Sequence, residues 1–401
     1  MTKRKIVFLS LSVVMLVTLL SGAVFGQATD RNDVYRYLSI FSEVFDLVRT
    51  NYVDTVGSEK LMDGAFAGVT DAIDEFSYYV PPAQMAAYKN FVDVEDNGLG
   101  LIVTKRFGYA YVIAPIEGSP ADKAGLDGGD FIEKIDGKST QTMTAWQIRS
   151  AINQKKPVKL LILRGGQTHR EEITIQPGAF HPVTLAHDTI SGVAYIKIPY
   201  FDAGTAAQFR SALASVREKN TRKLIVDLRG NAGGSVEEAI HSADELLTSG
   251  LITSLEGRKV EAKKWQADRE TSYDGEVQVL TDLSTAAGAE VFASAIHGNK
   301  RGKVVGLTTY GKAIVQRFIP LPSGGGVQMT IGHYTTPDLK IIGDTGIKPD
   351  VVVDLSAQAL EDPAEKKGKK SEPKDDLILN KALQLFGVQP PSVAVAQKKA
   401  A

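Results

Sequence analysis

Between residues 183 and 355, apolar runs of strand length alternate with amphipathic helical stretches, and few folds accommodate that alternation. Val193 to Ile198, Lys223 to Leu228, Val277 to Leu280, Lys303 to Leu307 and Val327 to His333 read as strands. Thr205 to Glu218, Val236 to Leu247 and Ala286 to His297 read as helices. The pattern predicts an α/β core, and the rest of the chain has to be arranged around it.

Upstream the character changes twice. Val34, Leu38, Phe41, Phe45 and Val48 recur at spacings of four and three, one apolar stripe of a helix. Asn51 and Gly57 interrupt it, and a second pattern runs through Leu61, Phe66, Val69 and Ile73. Pro81-Pro82 then precedes a short helix at Ala83 to Phe91. Residues 30–94 are therefore expected to form a helical region packed on the core. Residues 95–178 hold short β runs and turns instead. Gly98-Leu99-Gly100-Leu101 opens a strand, and Tyr111 to Ile116 gives another. Gly118-Ser119-Pro120-Ala121 starts a short helix, and Gly128-Gly129-Asp130 turns into Phe131 to Ile135. Asp136-Gly137 is a hairpin signal. Thr144 can cap a helix over Ala145 to Asn153, and Val158 to Leu163 is a last strand. The run S-P-A-D-K-A-G-L-D-G-G-D-F-I-E-K-I-D-G-K resembles a PDZ domain, a β-rich module with two helices. That resemblance implies capture of a peptide C-terminus. Backbone N–H groups at Gly98, Leu99, Gly100 and Leu101 would hold the carboxylate while a strand edge pairs with the peptide.

The N-terminus carries Lys3, Arg4 and Lys5, then an apolar run from Ile6 to Leu20, then small residues to Gly26. That order is a secretory leader over 1–26, which predicts export to the periplasm or cell envelope, or secretion. An uncleaved membrane tether is the alternative, since Ile6 to Phe25 is close to the ~20 residues of a spanning helix. A formal net charge of −1 gives no electrostatic case for nucleic acid, and the absence of cysteine excludes thiol chemistry. His187, His241, His297 and His333 are scattered without metal-ligand spacing, so neither a metal nor a cofactor is expected. Residues 356–401 read as a charged linker, Lys/Glu/Pro-rich from Glu361 to Asp376, followed by one short helix at Leu377 to Phe386.

Two segments carry the chemistry. The first is Asp227-Leu228-Arg229-Gly230-Asn231-Ala232-Gly233-Gly234, a Gly-rich turn between a buried strand and a helix. Such a turn presents unpaired N–H donors to a negative oxygen, although tight packing at positive φ also explains glycine there. A phosphate loop is disfavoured because no G-K-[ST] follows Gly234. The second runs from Leu280 to Gln316 and contains Ala287-Gly288-Ala289-Glu290 and Gly311-Lys312-Ala313-Ile314-Val315-Gln316. Around Lys312 the neighbours are apolar, which suits a lysine held neutral as a base.

Together these segments resemble the C-terminal processing peptidases, or tail-specific proteases, which use a serine and a lysine. The Y-V-D at Tyr52-Val53-Asp54 and the ending Tyr334-Thr335-Thr336-Pro337 through Gly346-Ile347-Lys348-Pro349-Asp350 extend the resemblance over most of residues 40–355. It implies a multidomain α+β and α/β protein with a crotonase/ClpP-like protease core. In the family the nucleophilic serine stands three residues before the glutamate, so its position falls on Ala287. Lys312 and Gln316 match the base and its polar neighbour. Gly233, Gly234 and Gly288 match the oxyanion donors. Both an engineered Ser→Ala exchange and a natural member without the serine fit that residue. Rescue by Ser284 or Thr285 requires a displacement of two or three residues, and Ser294 falls inside the helix. Two functions follow. One is an exported endopeptidase scaffold, silenced at Ala287, that recognises substrate C-termini through the PDZ domain. The other is a non-catalytic protein that binds such tails. An acyl-CoA enzyme on the same core is a weaker third, opposed by the PDZ segment and the leader.

Overall fold

Three sheets carry the chain in a computed structural model that describes residues 33–92, 98–164, 169–183, 185–268, 270–343, 345–355 and 376–390. The expected leader and the Lys/Glu/Pro-rich linker up to 375 lie outside those residues. One compact unit, ending at Val69, holds α1 (residues 33–51) and most of α2 (Ser58–Asp71). The predicted stripe is helical, but Val34, Leu38 and Phe41 on it are exposed, as are Tyr52 and Val53.

The second unit begins at Thr70 with β1 (Tyr78–Val80) and α3 (Met85–Val92). The PDZ sheet follows. It comprises β2 (Leu101–Arg106), β3 (Tyr109–Pro115), β4 (Phe131–Ile135), β5 (Lys138–Ser139), β6 (Val158–Arg164) and β7 (His169–Ile175). Strand order is β2-β3-β4-β6-β7, with β5 on β4, so β2 is an edge strand. Asp136 and Gly137 both take positive φ (49° and 79°), the mirror-image turn that matches strand twist. Two helices, α4 (Pro120–Lys123) and α5 (Ala145–Ile152), close the small core around Leu99, Val112, Ile132, Ile148 and Leu160. Gln147 accepts from the Thr144 N–H at 2.9 Å, which stops α5 at its predicted start.

The chain continues through β8 (Ala186–Ile190), β9 (Val193–Lys197), α6 (Thr205–Glu218), β10 (Lys223–Asp227) and α7 (Val236–Asp244). Next come β11 (Leu251–Glu256), β12 (Lys263–Gln266), β13 (Glu276–Thr281), α8 (Gly288–Gly298) and β14 (Gly302–Gly306). Last are β15 (Ile314–Pro320), β16 (Gly326–Tyr334), β17 (Val351–Val352) and α9 (Leu377–Leu385). The central sheet has the order β17-β14-β13-β10-β9-β8 and is parallel except where β8 runs against β9. Helices α6, α7 and α8 cover one face through Phe209, Leu213, Ile240 and Phe292. On the other face α9 packs against Val193, Ile225, Leu280 and Val305. Burial on both sides explains why β10 reads as an unbroken apolar run, Leu224-Ile225-Val226. A second sheet, β1-β16-β11-β12 with β15 on β16, brings β1 beside the segment that leaves β14. Because the central strands are parallel, the loops after β10, β13 and β14 emerge at one end, where such sheets bind ligands.

Candidate active site

The three loops are laced together. The Ala286 N–H donates to Asn231 O (2.8 Å), Tyr310 N–H to Thr285 O (2.9 Å), and Gly230 N–H to both Asp282 carboxylate oxygens (3.2 and 3.1 Å). Ala287 stands at the tip, directly before α8, with φ 54° and ψ −121°. A side-chain-bearing residue adopts such backbone at a cost of about 1–3 kcal/mol. This strained position, directly before a helix N-terminus, carries only a methyl group.

One turn into α8, the buried Glu290 joins this turn to the loop Thr309 to Lys312. One of its oxygens accepts from Thr309 Oγ1 (2.5 Å) and Gly311 N–H (2.6 Å). The other accepts from Lys312 N–H (2.7 Å) and Ala287 N–H (3.1 Å). Burial pushes this carboxyl up to about 7 against the pull of its four donors. Lys312 keeps partial solvent contact, and its Nζ lies 5.3 Å from the centre of the Phe76 ring. Burial first, and then the Arg149 charge, lower its pKa to about 8, while Glu75 and Glu290 oppose the shift. At neutral pH a useful fraction of the amine is therefore unprotonated.

Gln316 follows a bulge in β15, and its Nε2 donates to Phe76 O at 2.9 Å. The expected direct contact with the lysine amine is replaced by an indirect one, since Phe76 meets Lys312 with its ring and Gln316 with its carbonyl. Asp74 fixes Phe76 in turn by accepting from Phe76 N–H (2.8 Å) and Ser77 N–H (2.7 Å). Gly288 is the first residue of α8, so its N–H has no intrahelical acceptor and faces the turn. Gly233 lies under Tyr200 and Ile102, whose atoms would be 2.9 and 3.0 Å from an added Cβ. Gly234 serves packing: at φ 95° it bridges to Phe201, and a Cβ would fall 2.0 Å from Phe201 O.

The alternative hydroxyls are committed elsewhere. Thr285 Oγ1 lies 3.1 Å from Leu228 O and 2.9 Å from Asp282 Oδ1, and Ser294 Oγ donates to Val291 O at 3.0 Å inside α8. Ser284 Oγ faces the PDZ turn, only 1.8 Å from where a Cβ on Gly128 would stand.

The PDZ sheet lies directly over these loops. Tyr111, Ile113 and Ala114 form one apolar cluster with Ala232 and Ala286, and Tyr310 packs against it. Arg106 sits 5.3 Å from the Tyr111 ring centre and 5.7 Å from that of Tyr310, whose hydroxyl donates to Glu75 at 2.5 Å. In the expected carboxylate loop, Leu99 and Gly100 are buried, with their carbonyls accepting from Ala121 N–H (2.9 Å) and Ile116 N–H (2.8 Å). Gly98 abuts Asn153, and Gly100, at φ 68°, abuts Ser119 and Phe180, so the loop is tightly held beside the outer edge of β2, which pairs with no strand among the described residues. Sequence reasoning missed Glu75, Phe76, Arg106 and Tyr310. Tyr310 lies more than 200 residues from the other three, 235 from Glu75, and no local pattern marks any of them.

Known proteins resemble this chain in sequence and fold. A model described as peptidase family S41 matches residues 192–353, and a PDZ domain model matches residues 111–164. The chain is 29% identical over 418 residues to a carboxy-terminal-processing protease of Bartonella bacilliformis, covering 96% of each. It is 29% identical over 320 residues to the carboxy-terminal processing protease CtpA of Bacillus subtilis, covering 78% of this chain and 68% of that one. In fold it is similar to the photosystem II D1 C-terminal processing protease (TM-score 0.65, 23% identity, 79% of this chain and 92% of that one).

Proposed function

We propose that this chain, which belongs to the C-terminal processing peptidase family and carries its PDZ domain, is an exported serine–lysine endopeptidase scaffold silenced at Ala287. Membership rests on the S41 and PDZ matches together with the carboxy-terminal processing relatives. Polypeptides follow as the ligand class, and free C-termini are the part we assign to the PDZ domain. The leader at 1–26 supports export.

The observation that carries the reading is Ala287 itself, an alanine in strained backbone that Glu290 ties to a lysine of lowered pKa. With serine at 287, the hydroxyl oxygen would attack the scissile carbonyl while Lys312 Nζ took its proton. The oxyanion would fall to the Gly288 and Gly233 N–H groups. The protonated lysine would then return that proton to the leaving amine, and water would release the acyl group by the reverse sequence. With alanine at 287 no acyl-enzyme forms, and binding of the tail is what remains.

The test is proteolysis of an unstructured protein with a free apolar C-terminus, comparing the parent with Ala287→Ser. Cleavage by Ala287→Ser that disappears on adding Lys312→Ala is the expected result. If Ala287→Ser binds the tail and cuts nothing, the chain is a tail-binding relative and the catalytic part of the proposal is lost.

A further inference from the structure

The D-L-R-G-N-A-G-G loop is held from an unexpected direction. Arg229 points away from the cleft, to the face of the central sheet that α9 covers. Its Nε and Nη2 meet the two oxygens of Asp227 at 2.9 and 2.6 Å, and its Nη1 meets Asp376 Oδ1 at 2.7 Å, from a residue 147 positions further along the chain. Asp376 also caps α9, accepting from Leu379 N–H at 3.0 Å. At the far end of the helix, Phe386 O accepts from Lys223 Nζ at 2.7 Å. Helix α9 is thus pinned at both ends of β10, at Lys223 where the strand begins and at Arg229 just past where it ends. Between the pins Ile378, Leu379, Leu383 and Phe386 are buried against the sheet.

We propose that Asp376 is a positioning residue for the oxyanion loop, acting through Arg229. This rests on the reading of Gly230 to Gly234 as that loop. The guanidinium is shared by two carboxylates, and it is only 19% exposed, with Asp227 at 1% and Asp376 at 13%. Asp227 fixes two edges of the fork, and Asp376 fixes the third, which stops the plane from turning about the Asp227 pair. The orientation of Arg229 passes straight into the loop. Its own N–H donates to Asp227 Oδ1 (2.9 Å), and the next residue, Gly230, takes φ 74° and donates to Asp282. Burial works against the charge on Arg229, but Asp227 and then Asp376 outweigh it and keep the group cationic. Without Asp376 the Asp227 pair survives, so the fold persists while the loop loses one of its restraints.

The discriminating variant is Asp376→Asn in the full chain, because asparagine caps a helix about as well as aspartate yet carries no charge. Hydrogen exchange is read first, in the parent background that needs no catalysis. Amides of residues 228–235 are expected to exchange about tenfold faster, the factor matched to one charge-assisted hydrogen bond. Those of α9, β10 and β13 should be unchanged. In the Ala287→Ser background kcat should fall about tenfold with KM within about twofold, and Asp376→Glu should recover part of the loss. Unchanged exchange in 228–235 overturns the proposal, and so does faster exchange spread equally over α9 and the sheet, which marks a purely structural helix. If Ala287→Ser proves inactive, the catalytic reading fails, and the exchange result still decides whether Asp376 restrains the loop.

Discussion

Replacing Lys312 by methionine should stabilise the protein at neutral pH. Burial lowers the lysine pKa from the ordinary 10.5 to about 8, so below pH 8 the amine is charged in both states and the folded state carries the penalty. At about 1.36 kcal/mol per unit the ceiling is about 3 kcal/mol, and the partial solvent contact of the side chain reduces it to about 1.5–3 kcal/mol. The sign follows from proton binding. Between pH 8 and 10.5 the unfolded lysine keeps its proton while the folded one has released it, so stability rises with pH across that window and the penalty fades. Methionine has no titration and retains the contact with Phe76. Its advantage should therefore be largest at pH 7, smaller by about 1 kcal/mol at pH 9, and gone near pH 10.5. Urea unfolding at pH 7 and pH 9 measures this, with Trp146→Phe in both chains so that Trp265 alone reports the core. A Lys312→Met chain that is less stable by the same amount at both pH values would refute the reasoning. The site would then hold Lys312 comfortably charged, and its use as a base would lose its physical basis.

Two further outcomes concern the glycine-like backbone of the site. Ala287→Gly should raise the stability of the core by about 1 kcal/mol in urea, because relief of strain at φ 54° exceeds the extra entropy of glycine in the unfolded chain; a loss would show that the turn is unstrained. Gly234→Ala should cost more than about 3 kcal/mol or abolish folding, since its Cβ would lie 2.0 Å from Phe201 O at φ 95°; a soluble chain with the parent's midpoint would sink that assignment.

Much of the scaffold was legible because it obeys local rules. The Asp136-Gly137 turn, the Thr144 start of α5 and the apolar run of β10 each follow from a few adjacent residues, and each lies where expected. The segments Leu251–Glu256, Lys263–Gln266, Ile314–Pro320 and His169–Ile175 are strands that the pattern did not announce. Thr253, Ser254, Lys263, Lys264, Arg317, Arg170 and Glu171 interrupt their apolar content, and cross-strand pairing rather than sequence periodicity decides them. The same division runs through the site. Ala287, Lys312 and Gln316 are candidates set by register with a family motif. Glu290 entered only as a landmark for that register, although its carboxylate makes four hydrogen bonds at the centre of the arrangement. Phe76, which holds Lys312 and Gln316 together, carries no signal, because a phenylalanine next to a strand reads as core.

The strained backbone at Ala287, the buried Glu290 and the lysine of lowered pKa are unfavourable features that packing alone does not require. An alanine in this backbone conformation gains no hydrogen bond from its side chain. A buried glutamate facing four donors, and a lysine pushed toward neutrality, are stable only because each constrains the others. A domain that merely held peptide tails would satisfy its purpose with the PDZ groove and a relaxed cleft. The cost concentrated between Ala287, Glu290 and Lys312 makes sense for a site shaped around an attacking oxygen, so a single hydroxyl at 287 should find its base already in place. Tyr111, Ile113 and Ala114 of the PDZ sheet pack against Ala232 and Ala286, beside Ala287, which keeps partial solvent contact.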